Sequence, residues 1–145
     1  MKMTIITFLI TFLMVNCQLE SSQAINPEMS KLNGKWKLSK IGYGFPAPNG
    51  PTEYKPTYEE VLDFNFSTNA FTRTKDGKVE EISNIKTSKL TDGGTSSRDI
   101  IIFEKDSTYS FYSFTENPIY LVLYQAAPIG SVLADGNSYF YEKVK

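Results

Sequence analysis

Histidine is missing from this 145-residue chain, and cysteine occurs once, at Cys17. Without an imidazole, neither a Ser-His-Asp nor a Cys-His catalytic unit has its general base. Zinc sites built from cysteine and histidine fall with them. One thiol also rules out a disulfide within the chain. Charge of either sign is never in large excess: 15 basic residues face 16 acidic ones, for a net −1. Phosphate neutralisation needs a basic stripe, so nucleic acid is not expected as a partner. The acids do not form local pairs either. Glu59 and Glu60 are adjacent, as are Glu80 and Glu81, and neighbours on a strand face opposite sides of the sheet. The stretch from Asp92 to Asp99 lacks the alternating carboxylates of a calcium loop. The expectation is a protein that is not an enzyme and has no metal or cofactor.

What is present begins with a hydrophobic leader, MKMTIITFLITFLMVNC. Lys2 is its only charge, and residues 3–15 carry none. Thirteen residues of helix extend about 20 Å, against a hydrocarbon core of about 30 Å. That is too short to span a bilayer and suits the apolar region of a signal peptide. The segment Met14-Val15-Asn16-Cys17 resembles a bacterial lipobox, in which an apolar or small-residue run ends in cysteine. The usual pattern has leucine where Met14 stands and a smaller residue than Asn16. The resemblance implies that residues 1–16 are cut away. It also implies a thioether-linked diacylglycerol on Cys17, acylation of its amino group, and a lipoprotein of the bacterial cell envelope at the outer membrane. Its first partner would then be the membrane. Residues 18–30 are polar and aperiodic, as in a flexible tether.

From residue 31 a period of two takes over. Leu32, Gly34, Trp36 and Leu38 share one face, with Lys35, Lys37 and Ser39 on the other. In YEEVLDFNF, Tyr58, Leu62, Phe64 and Phe66 alternate with Val61, Asp63 and Asn65. Glu60 falls on the apolar face, so it lies at a rim or inside. Asp76-Gly77 predicts a tight hairpin between AFTRT and KVEEI. Further strands are expected in ISNIKTSKL, DIIIFE, TYSFYSFT, IYLVLY and SYFYEKVK. The glycine-rich stretch TDGGTSSRD, from Thr91, reads as a loop that separates ISNIKTSKL from DIIIFE. In TYSFYSFT, Tyr109 and Phe111 oppose Tyr112 and Phe114. About eight short strands in residues 31–145, with no convincing helix, predict an all-β antiparallel up-and-down barrel.

Gly34-Lys35-Trp36 at the first strand, with Tyr139 to Lys145 at the last, resembles the small lipocalin-like domains of Gram-negative lipoproteins. In that family the tryptophan plugs the closed end of the barrel, and a basic residue from the last strand packs over it. The resemblance gives Gly34 and Trp36 that closing role and offers Lys143 or Lys145 as the cover. If the barrel is hollow, Trp36, Phe64, Phe66, Tyr112 and Phe114 are the candidate lining residues of a pocket for a small hydrophobic ligand. An eight-stranded barrel is just wide enough either to hold one small ligand or to be filled by side chains. If it is filled, these aromatics are its core. The protein would then be an interaction or envelope-structural module working through the loop bounded by Gly42 and Lys55. That loop, GYGFPAPNGPTEYK, is stiffened by Pro46, Pro48 and Pro51, which lowers the entropy lost when a protein partner binds.

Overall fold

The computed structural model describes residues 27–91 and 96–145, so the leader and Cys17 lie outside the described residues. A short helix, α1 (Pro27–Leu32), precedes the strands. The tether read from the sequence to residue 30 therefore ends earlier. Six residues are too few to display a helical period, but Leu32 is fully buried and docks the helix.

Ten strands follow in chain order: β1 (Gly34–Gly42), β2 (Glu53–Tyr54), β3 (Glu60–Asn65), β4 (Ala70–Lys75), β5 (Lys78–Thr91), β6 (Ser97–Phe103), β7 (Thr108–Phe114), β8 (Leu121–Tyr124), β9 (Ala127–Pro128) and β10 (Ser138–Lys143). Leaving out the two-residue pieces β2 and β9, eight strands form an antiparallel circuit. It closes where β1 pairs with both β3 and β10. This is the all-β barrel expected from the alternation. KVEEI and ISNIKTSKL are one continuous strand, β5, whose first half pairs with β4 and whose second half pairs with β6. The β4–β5 hairpin turns on Asp76 (φ 48°) and Gly77 (φ 76°). Positive φ at both residues matches the strand twist, which is why Asp-Gly serves there.

In β1 and β3 the period of two puts Trp36, Leu38, Leu62 and Phe64 inside, and a register shift between Leu38 and Lys40 turns Ile41 inward as well. Trp36, Leu38, Leu62, Phe64, Phe71, Ile85, Ile101, Phe103, Leu121, Leu123 and Tyr141 form one buried cluster. Each such side chain contributes about 1.5–3 kcal/mol by leaving water. The middle of the barrel is therefore packed with side chains. A second cluster lies outside the wall, where Ile100, Tyr109 and Ala127 pack with Leu90, Ile102 and Phe111. The connection carrying β9 folds over it, held by Ile129 N–H to Ser107 O (3.0 Å) and by the Tyr109 hydroxyl to Ser131 O (2.6 Å).

Candidate functional site

At one end of the barrel, Gly34 takes φ +108°, a conformation that side chains rarely adopt, as the chain leaves α1 and enters β1. Two residues on, Trp36 turns inward and is 1% exposed. Its indole N–H donates to Leu32 O at 2.7 Å, tying the helix across the strand ends. The Lys143 ammonium lies 5.1 Å from the indole ring centre and donates to Lys31 O at 3.2 Å. A lysine of the last strand thus covers the tryptophan.

Beside this plug is a cavity of about 660 Å³ lined by Trp36, Tyr112, Phe114, Ile119, Lys31 and Lys143, with Asp99 and Glu116 among its polar margins. Small-molecule sites occupy roughly 300–1,000 Å³. Phe114 stands 5.9 Å from Trp36, and Tyr112 stands 6.2 Å from Phe114 at 81°. Three of the five aromatics read as ligand-lining therefore meet here. Phe64 and Phe66 do not join them. Phe64 is buried against Phe71 with ring centres 5.0 Å apart, and Phe66 stacks on Phe64 at 6.1 Å.

The other end of the barrel is polar inside. Glu60, at the start of β3, is buried and so is inside rather than at a rim. Its register partner on β4 is Lys75, but its side chain approaches Arg73, which lies opposite Leu62 on β3 and faces Glu81 on β5. The Arg73 Nη1 to Glu81 Oε2 distance is 2.9 Å, whereas Nε, buried and without a hydrogen-bond partner among the described residues, is 4.0 Å from Glu60 Oε2. The Tyr141 hydroxyl donates to Glu60 Oε1 at 2.6 Å. Burial raises the Glu81 carboxyl above its ordinary range against the pull of Arg73. A cavity of about 240 Å³ opens beside this network, lined also by Tyr58, Ser110, Tyr124 and Tyr139. The Glu60 and Glu81 carboxylates are held by the Arg73 guanidinium and, at Glu60, by the Tyr141 phenol, and the arrangement braces β3, β4, β5 and β10 internally. Adjacent-residue spacing could not reveal it, because it joins one residue from each of four strands. The one signal was acid on the apolar face, at Glu60 and again at Glu81 before Ser83 and Ile85.

Burial pushes the Tyr141 hydroxyl well above its ordinary 10.0, with the Glu60 charge and hydrogen bond adding to it. In the unfolded chain this phenol ionises near 10, while the folded protein keeps it protonated. Its stabilising contribution is therefore intact below pH 10 and declines as pH rises above it, by up to about 1.4 kcal/mol per pH unit. Urea unfolding between pH 9 and 12 should show that decline, and Tyr141→Phe should remove one proton from the slope. An identical slope in the variant would mean that Tyr141 is not held protonated by burial.

Compared with protein-family models, curated proteins and solved structures, the chain matches none.

Proposed function

We propose that the protein is a membrane-anchored bacterial lipoprotein whose lipocalin-like barrel binds a small apolar ligand in the cavity beside Trp36. The observation that carries the ligand reading is the convergence of Trp36, Tyr112 and Phe114 on a space of about 660 Å³. Aromatic walls supply the apolar contact area, and the margin supplies charges of both signs for one polar end of a ligand. The packed centre of the barrel directs the ligand to this end rather than into the lumen. Lys143 over Trp36 fits the family resemblance, and the lipobox-like segment ending at Cys17 supports the anchor.

The test is a fluorescence titration with 1-anilinonaphthalene-8-sulfonate as an apolar probe. Ile119 is 64% exposed, so Ile119→Ser should leave the fold intact, and together with Phe114→Ser it should weaken probe binding about tenfold or more. Val79→Ser, at an exposed position on β5, is the control and should change nothing. Equal affinity in all three proteins would remove this cavity as the site.

A further inference from the structure

The end of the barrel opposite Trp36 opens into the cavity of about 240 Å³ beside Glu60 and Arg73. Buried Phe103 and Leu123 make its apolar floor. Its walls are polar and aromatic, with Tyr58, Tyr124, Tyr139 and Gln125 around the Glu60 carboxylate and the Arg73 guanidinium. Hydrogen bonds and ion pairs fix these groups in advance. Tyr141 holds Glu60 Oε1, Glu81 holds Arg73 Nη1, and the Ser110 hydroxyl donates to Tyr124 O at 2.5 Å. The Gln125 side chain accepts from Asn137 N–H at 3.2 Å, and the Lys75 ammonium lies 4.2 Å from the Tyr58 ring centre. Two groups keep capacity to spare. Among the described residues, neither Glu60 Oε2 nor the Tyr58 hydroxyl takes part in a hydrogen bond.

We propose that this end of the barrel binds one ring of a neutral sugar, its hydroxyls bonded to Glu60, Arg73 and Tyr58 and its C–H face laid against the tyrosine rings. The balance of charge selects against ionic ligands. Glu60 and Arg73 approach to 4.0 Å, while Glu81 on Arg73 and Lys75 on Tyr58 complete a set of two acids and two bases. A ligand ammonium drawn to Glu60 meets the guanidinium, and a ligand carboxylate drawn to Arg73 meets two carboxylates. A charged ligand therefore gives up water without a net attraction. A hydroxyl both donates and accepts, so it can serve the free Glu60 oxygen together with Arg73 or Tyr58. Aromatic faces are electron-rich and take the polarised C–H bonds of a sugar ring. Burial, with the Glu60 charge adding to it at Tyr58, raises the Tyr58 and Tyr139 hydroxyls above their ordinary 10.0, which keeps both neutral. The volume lies below the roughly 300–1,000 Å³ of drug-sized sites, which suits one ring and not a chain. The packed core between the two ends keeps this site apart from the cavity beside Trp36.

The core and strand circuit lie within residues 32–143, so residues 18–145 without acyl chains contain the complete folding unit. Saturation-transfer NMR on this form should show binding of glucose, galactose or mannose at millimolar concentration. The 2-amino and 6-carboxylate analogues of the sugar that binds should be about tenfold weaker or more. Tyr58→Phe removes the free hydroxyl and keeps the ring, and Tyr124→Ser removes a wall that is 42% exposed. Together they should weaken sugar binding about tenfold or more without changing the melting temperature. Phe114→Ser with Ile119→Ser, at the opposite end, should leave sugar affinity as it was. Four results overturn the proposal: no transfer to any of the three sugars, a charged analogue that binds as tightly as the neutral one, equal affinity in the Tyr58 and Tyr124 double variant, or sugar binding lost in the Phe114 and Ile119 variant. If the first double variant does not fold, the comparison of charged and neutral sugars on the parent chain decides.

Discussion

Trp36→Ala should lower the stability of the barrel by about 3–5 kcal/mol. In a body of this size that is a fall of about 10–20 °C in melting temperature. The side chain is 1% exposed, so its removal leaves a void that the packed surroundings only partly fill. The loss reaches beyond the void. The Leu32 carbonyl forfeits its indole donor, and the Lys143 ammonium loses the ring it lies over. Trp36→Phe keeps most of the volume and drops the hydrogen bond, so its cost should be nearer 1 kcal/mol. Thermal unfolding followed by circular dichroism checks both. An unchanged melting temperature in Trp36→Ala would mean that the ring does not plug this end.

Cys17→Ser should abolish incorporation of labelled palmitate completely. The expectation follows from the anchor proposed above, in which the cysteine sulfur and amino group are the sites that carry acyl chains. At about 0.8 kcal/mol per buried CH₂, three chains exceed the two signals that stable anchoring requires. No other residue supplies an equivalent attachment, because Cys17 is the sole cysteine. Continued labelling of the serine variant would place the lipid elsewhere or remove it from the account.

Much of the barrel was legible because its physics is local. Alternation in YEEVLDFNF puts Leu62 and Phe64 inside, and Asp76-Gly77 marks its hairpin by local conformation alone. Tyr109 and Phe111 opposed Tyr112 and Phe114 as expected, but the outward pair is covered because the connection carrying β9 folds over it. No period in the sequence announces that cover. The Glu60–Arg73–Glu81 network needed the register of three strands, including a shift between Arg73 and Thr74. Of the aromatics read as one lining, strand position divided them. Phe64 sits mid-barrel against Phe71, whereas Phe114 reaches the end where Trp36 lies.

Native mass spectrometry of the protein extracted from the membranes of its own host tests the central claim most directly. The account predicts a chain that begins at Cys17, carries its acyl chains, and retains a small molecule that collisional activation releases. A chain with its leader intact or its thiol bare, and with no further mass bound, would contradict it.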